Sequence, residues 1–266
     1  MSSPSIINVE YKDRVAVLTI DNAKKLNALS QDQYFELATR MNEIAARDDI
    51  FVTVIIGTGR FFSAGADVTV TLSSPSAAPD RRQILSTFLA SNLNLTRAFY
   101  THPKILVAAL NGPVIGLSAA LVSLSDFIYC TPSAFLLTPF SSLGLVAEGV
   151  ASRSLVKRLG PAKANEALIM SRKVGAEDLK ACGYVNEIFA QEGFKERVLR
   201  EVDEKLGSHL VGESLLGIKK LIRDPEIEEL ERQNVVECFD GVERLLKGIP
   251  QDEFAKIARG EKRHKL

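Results

Sequence analysis

The chain has 266 residues, enough for one large domain or one domain with an appendage. Lys plus Arg and Asp plus Glu both number 33, so no basic field argues for a nucleic-acid partner. Cys130, Cys182 and Cys238 are scattered, as are His102, His209 and His264, and no C-x-x-C or H-x-x-x-H spacing occurs; no disulfide framework and no metal site are expected.

The N-terminus, MSSPSIINVE, has no basic region followed by an apolar run, so no secretory signal is expected. Ile6–Val9 and Val15–Ile20 read as strands around a charged turn at Tyr11 to Arg14. The imperfect alternation of VAVLTI suits a strand covered on both faces. Ser30 followed three residues later by Gln33 is a capping-box pattern. Tyr34, Leu37, Ala38, Met41, Ile44 and Ala45 then recur at helical spacing, which predicts an amphipathic helix over 31–47. Phe51–Ile56 reads as a buried strand.

The loop GTGRFFSAGADV follows. It is not a dinucleotide fingerprint, because position 62 is Phe where G-x-G-x-x-G needs Gly. Ala64-Gly65-Ala66 is either an ordinary loop or a place where backbone N–H groups approach an anion or a carbonyl. Thr71–Pro79, rich in Ser, Pro and Ala, reads as an exposed mobile segment. Ile84–Phe99 reads as a helix with Asn92 on it.

No charge occurs from Ile105 to Ser125, a length that would span a bilayer. Asn111-Gly112-Pro113 interrupts it with a turn signal, so a buried strand (Ile105–Leu110), a tight turn and a buried helix from near Gly116 are predicted instead. Phe127–Cys130 and Ala134–Leu137 are short strands. An irregular stretch with Pro139 and Gly144 leads to Glu148, an acid among apolar and small neighbours before a helix beginning near Gly149. Such a carboxylate is either a solvated helix-start acid or a catalytic base. Helices Ala151–Leu159 and Ala162–Met170 flank Gly160-Pro161, Ala176–Ala181 is a short helix, and Tyr184–Ala190 is the last strand. Helices over 194–207, 211–222, 225–247 and 251–259 complete the chain, and this tail either closes the core or packs on a neighbouring subunit. The alternation implies an α/β core with parallel strands and right-handed crossovers.

Four ordered blocks carry a resemblance: NAKKLNALS (22–30), GRFFSAGADV (59–68), NGPVIGLSAALVSLSD (111–126) and SLGLVAEGVASRSLVKRLG (142–160). The chain resembles the enoyl-CoA hydratase/isomerase (crotonase) superfamily over most of 10–200. FFSAGAD and GPVIGLSAAL look most like the blocks of the fungal peroxisomal Δ3,Δ2-enoyl-CoA isomerases. The resemblance implies an α/β spiral of ββα turns over 1–200 and a helical oligomerisation part over 201–266, in a homotrimer or hexamer. It implies an acyl-CoA substrate with no cofactor. It assigns an oxyanion hole to the N–H groups of Ala66 and Leu117, places Ala64, Gly65, Ala66, Asp67, Val68 and Leu117 along the thioester, and sets Lys24 and Lys25 near the CoA phosphates, where a solvated turn is the alternative.

Departures from the family decide the expected reaction. The two hydratase glutamate positions correspond to Ala120 and Phe140. Glu148 corresponds to the catalytic glutamate of the isomerases, and Asn92 is a candidate to orient it. The expected activity is therefore transposition of a 3-cis or 3-trans double bond to 2-trans, with Glu148 carrying a proton from C2 to C4. A dienoyl-CoA isomerase and a non-catalytic acyl-CoA-binding paralogue are the alternatives. His264-Lys265-Leu266 resembles the peroxisomal S-K-L tripeptide, which implies an import receptor as partner and the peroxisomal matrix as location.

Overall fold

The computed structural model describes residues 5–67 and 80–262. Val68, the 71–79 segment and the His264-Lys265-Leu266 tripeptide lie outside the described residues. A six-stranded sheet runs β1 (Ile7–Lys12), β2 (Val15–Ile20), β3 (Val52–Gly57), β4 (Ile105–Leu110), β6 (Phe127–Cys130) and β9 (Glu187–Ile188). The β1–β2 pair is antiparallel and every other pair in it is parallel. A second sheet orders β5 (Val114–Ile115), β7 (Phe135–Leu137) and β8 (Val174–Gly175).

The fully buried runs of β3 and β4, apolar but for Thr53, follow from cover on both faces. Ile55, Leu106, Ala108 and Leu110 enter the main core, while Val52, Val54, Ile56, Ile105, Val107 and Ala109 face a second core. The main core takes Leu37, Met41 and Ile44 from helix α1 (Gln31–Ala45). The second takes Phe194, Val198 and Val202 from α7 (Phe194–Leu206). The capping box of α1 is formed: Ser30 Oγ accepts from Gln33 N–H, and Gln33 Oε1 accepts from Ser30 N–H.

The uncharged stretch from Ile105 folds as β4, a turn, β5 and the short helix α4 (Leu117–Val122), all of it largely buried. Among the described residues no helix is long and apolar enough to cross a membrane.

Four predicted elements differ. The 84–99 helix is divided into α2 (Arg81–Ile84), a π-helical turn (Leu85–Leu89) and α3 (Ala90–Tyr100). Helix spacing of apolar residues does not report a one-residue insertion of this kind, which is common near functional sites. The predicted helices 211–222 and 225–247 are one helix, α8 (Gly212–Leu246), with Pro225 inside. Pro225 removes the N–H that would bond Leu221, but Leu221 is 78% exposed, so water can serve its carbonyl. Ion pairs from Lys219 and Arg223 to Asp126 hold the proline-containing turn against the core. Of the predicted strand 184–190 only Glu187–Ile188 pairs with β6.

Gly160, at φ 74 and ψ 159, breaks α5 (Ala151–Leu168) where the Gly-Pro pair predicts a break. After α6 (Ala176–Ala181), α7 and α8, the chain ends in α9 (Ile249–Ala258). Leu230, Cys238 and Val242 of α8 are buried, so its inner face closes the core, while Ile218, Leu221, Ile222, Val235, Val236 and Phe239 are exposed on it.

Candidate active site

Two loops and a helix start are locked side by side. After β3 the chain turns through 57–62, held by two asparagines. Asn27 Nδ2 donates to the carbonyls of Thr58 and Phe61, both at 2.8 Å. Asn111 Oδ1 accepts from Gly57 N–H at 3.0 Å, and its Nδ2 donates to Gly59 and Phe61 carbonyls. The next residues run beside the segment after β4: Phe62 N–H donates to Pro113 O at 3.0 Å and Ile115 N–H to Ser63 O at 2.9 Å. Gly65 sits at φ +84, and a Cβ there would meet Ile115 O at 2.8 Å. Only glycine permits both the left-handed backbone and this approach.

The approach leaves two N–H groups available. Ala66 pairs with Leu29 through the N–H groups and carbonyls of its neighbours: Leu29 N–H donates to Gly65 O, and Asp67 N–H to Leu29 O. In a parallel bridge of this kind the N–H of Ala66 itself points away from the partner strand. Ala66 is exposed. Leu117 is the first residue of α4, and the carbonyl four residues earlier, Pro113 O, accepts from Phe62 and Ser63 instead. Among the described residues neither the Ala66 nor the Leu117 N–H donates to a backbone carbonyl in any loop, turn or cap.

A line of buried hydroxyls, Tyr34, Ser118 and Ser63, ties these two segments together. Ser63 Oγ donates to Asn27 O at 2.8 Å, which uses its only proton. The 2.9 Å contact with Ser118 Oγ is therefore donated by Ser118, and the 3.2 Å contact between Ser118 and Tyr34 is donated by the tyrosine. Gly65 N–H also donates to Ser63 Oγ at 3.1 Å. Burial pushes the Tyr34 hydroxyl well above its ordinary value, so it remains a donor. Ser63→Ala would leave a buried N–H and a buried carbonyl without their partner. We expect a loss of about 1–3 kcal/mol, read as a lower denaturant midpoint with unchanged slope.

Glu148 precedes two left-handed residues, Gly149 at φ +67 and Val150 at φ +56. A β-branched residue in that region is strained, and such strain persists only where surrounding structure imposes it. A Cβ at Gly149 would meet Ala120 Cβ at 2.8 Å and Leu117 Cδ1 at 3.0 Å. The turn carrying Glu148 is thus pressed onto the helix that begins with the Leu117 N–H. Glu148 is half-buried, and Asn92 Nδ2 donates to its Oε2 at 3.0 Å. Burial raises the Glu148 carboxyl to about 7, the Asn92 bond opposes that rise, and the charge of Glu237 adds to it. Burial outweighs the helix start, which is expected to pull the other way.

The remaining sequence-predicted residues fall as follows. Ala64 is half-buried and donates to Leu26 O at 2.9 Å, and Gly65 is buried against Ile115. Lys24 and Lys25 are exposed at the turn before Leu26, and Lys25 Nζ pairs with Asp67 Oδ2 at 2.7 Å, beside Ala66. That pair holds the turn to the 63–67 loop. Asn92, only 6% exposed, is not a plain polar residue of a helix surface, since its amide holds the buried acid. Ala120 is fully buried and Phe140 nearly so, and neither position carries a carboxylate. Among the described residues no cluster of His, Cys, Asp or Glu is disposed to hold a metal. Sequence reasoning missed Tyr34, Ser63, Ser118 and Glu237. The last had a signal: Asn234 and Glu237 lie on the helical face that also carries Leu230, Cys238 and Gly241, polar residues where the period calls for apolar ones.

The enoyl-CoA hydratase/isomerase family model matches residues 10–221. The chain is 59% identical to a Delta(3,5)-Delta(2,4)-dienoyl-CoA isomerase of Pyricularia oryzae, covering 98% of this chain and 99% of that one. It is 33% identical to a 3,2-trans-enoyl-CoA isomerase of Saccharomyces cerevisiae, over 94% of this chain and 93% of the other. The fold superposes on the crystal structure of an enoyl-CoA hydratase/isomerase from Pseudoalteromonas atlantica with a TM-score of 0.85 at 26% identity, covering 98% and 100% of the two chains. The α/β spiral and its helical C-terminal region are therefore those of the crotonase fold, and the chain belongs to the enoyl-CoA hydratase/isomerase family.

Proposed function

We propose that the protein is a Δ3,Δ2-enoyl-CoA isomerase in which Glu148 moves a proton from C2 to C4 of an acyl-CoA thioester. The observation that carries this reading is the Asn92–Glu148 pair: one enclosed carboxylate, raised to about 7, beside a helix start with an available N–H. In a 3-enoyl thioester the C2 protons are acidified by the carbonyl and the alkene. Ionised Glu148 takes one, the C2–H electron pair shifts into the C1–C2 bond, and charge develops on the thioester oxygen. The Ala66 and Leu117 N–H groups hold that charge, each contributing roughly 3–4 kcal/mol in comparable sites. The electrons then return through C2–C3, and Glu148 releases the same proton to C4. Atoms balance, and no second acid is needed if the carboxylate reaches both carbons from one face. Ala120 and Phe140 supply no group to activate water, which counts against hydration.

A second reading is favoured by the 59% identity to a dienoyl-CoA isomerase. There the proton leaves C2 and a proton is added at C6, a longer span for one carboxylate. The test is turnover of 3-trans-hexenoyl-CoA, 3,5-octadienoyl-CoA and crotonyl-CoA side by side. Conversion of the first supports the primary reading, conversion of the second alone replaces it, and hydration of the third overturns both.

Because the free enzyme must carry ionised Glu148, kcat/KM is expected to rise with pH through about 7 and level off above. Asn92→Ala removes the bond that favours the carboxylate, so this limb should move to higher pH, with activity at pH 7 reduced and partly regained at pH 9. Lys24 beside the 22–30 turn is proposed to meet CoA phosphates, and the helical tail to serve a homotrimer or hexamer. The His264-Lys265-Leu266 end is proposed as a peroxisomal import signal. Deleting those three residues should move a fluorescent N-terminal fusion from peroxisomes to the cytosol.

A further inference from the structure

The long helix α8 bonds to the segments that carry both partners of the Asn92–Glu148 pair. Asn234 Nδ2 donates to Leu93 O at 3.2 Å, one residue beyond Asn92. One turn along, Glu237 Oε1 accepts from Ser152 N–H at 3.0 Å and from Ser152 Oγ at 2.5 Å, four residues beyond Glu148. Gln233 Nε2 donates to the same Ser152 Oγ at 2.9 Å. The N-terminus of α5 has no side-chain cap from its own Val150, so a carboxylate from a different helix satisfies it. Glu237 is 4% exposed, and its second oxygen, Oε2, has no hydrogen-bond partner among the described residues.

We propose that Glu237 is a positioning residue for Glu148: it pins the strained 149–152 turn through Ser152 and presents a second buried carboxylate behind the catalytic one. The inference rests on the reading of Glu148 as the proton carrier. Two features exceed a simple helix cap. An exposed Asp or Ser at the turn itself would cap α5 without burying a charge. And a buried carboxylate is a like charge that disfavours ionisation of a neighbouring acid. Among the described residues, Asn92 from α3 bonds to Glu148, and Tyr34 from α1 and Glu237 with Cys238 from α8 interact with it electrostatically. Burial holds both cysteine and tyrosine neutral at working pH, which leaves Glu237 as the ionisable neighbour among the described residues. The Glu237 carboxyl is itself pushed up by burial, opposed by the Ser152 bonds and by the electropositive N–H groups of Val150 and Ala151.

The experiment compares wild type with Glu237→Gln and Ser152→Ala. Glutamine keeps an acceptor for Ser152 and removes the charge. The acidic limb of kcat/KM should then move to lower pH by half a unit or more. The Glu148 carboxyl titration, followed by infrared difference spectroscopy against Glu148→Gln, should move by the same amount. Ser152→Ala loosens the turn while keeping the charge, and should lower kcat about tenfold with KM little changed. A Glu237→Gln profile superimposed on wild type, or a Ser152→Ala enzyme with undiminished kcat, would overturn the proposal. The infrared titration needs no turnover: if wild type isomerises nothing yet the Glu148 titration still moves in Glu237→Gln, the functional reading fails and the coupling stands.

Discussion

Glu148→Gln should lower isomerisation of a 3-enoyl-CoA by about 10³-fold, the range expected when a general base is removed, while acyl-CoA still binds. Gln keeps an oxygen for the Asn92 amide at 3.0 Å, so the loss would report proton transfer and not collapse of the pair. The same variant should be more stable than wild type at pH 8. The sign follows from linkage. Burial raises the Glu148 carboxyl from 4.5 to about 7 in the folded state. Between those values the folded protein binds more protons than the unfolded chain, so stability falls as pH rises. Above pH 7 the ionised, enclosed carboxylate costs the fold up to about 3 kcal/mol, and Gln has no charge to desolvate. The gain in thermal midpoint should be present at pH 8 and absent at pH 4. Equal midpoints at both would mean that Glu148 is freely solvated, and undiminished turnover would remove it from the mechanism.

Gly65→Ala should reduce kcat by about 10²–10³-fold, the cost of losing one donor to a developing oxyanion. A Cβ at position 65 meets Ile115 O at 2.8 Å, and that atom is backbone, with no rotamer to relieve it. The 63–66 loop must then part from the segment leading to Leu117, which would pull the proposed Ala66 donor away from the proposed Leu117 donor. Gly183→Ala is the matched control. Gly183 has a similar φ of +79, but a Cβ there meets nothing within 4 Å. It should cost about 1–2 kcal/mol of stability from the left-handed backbone alone and leave kcat intact. If both variants lose activity equally, backbone strain rather than loop spacing is responsible. If Gly65→Ala retains full kcat, the Ala66 N–H does not stabilise the transition state.

Local chemistry made much of this protein legible. Ser30 and Gln33 announce α1 because both halves of the capping box lie within four residues. The mainly apolar, β-branched runs of β3 and β4 announce buried parallel strands because both faces of the sheet are covered, and the one buried hydroxyl in them, Thr53, is paired with His102 Nε2 at 2.8 Å. Asn111-Gly112-Pro113 separates a strand from a helix inside a stretch long enough for a membrane, because a turn needs that chemistry and a span does not tolerate it. The four ordered blocks pointed to the family and to Glu148.

Other features depend on residues far apart in the chain. The union of 211–222 with 225–247 across Pro225 was illegible, because it rests on Lys219 and Arg223 reaching Asp126 almost a hundred residues away. Whether the helix start or burial governs Glu148 is undecidable from its sequence neighbours, since the groups that act on it come from α1, α3 and α8. The sequence by itself determined which residues are available: a glycine at 65, an asparagine at 92, a lone acid at 148 and no acid at 120 or 140. Only the tertiary structure decided their company. It set Gly65 against Ile115, Asn92 against Glu148 and Glu237 against Ser152, because carboxylate ionisation and N–H alignment respond to distances of about 3 Å, which side chains 56 and 85 positions apart reach only once the chain has folded.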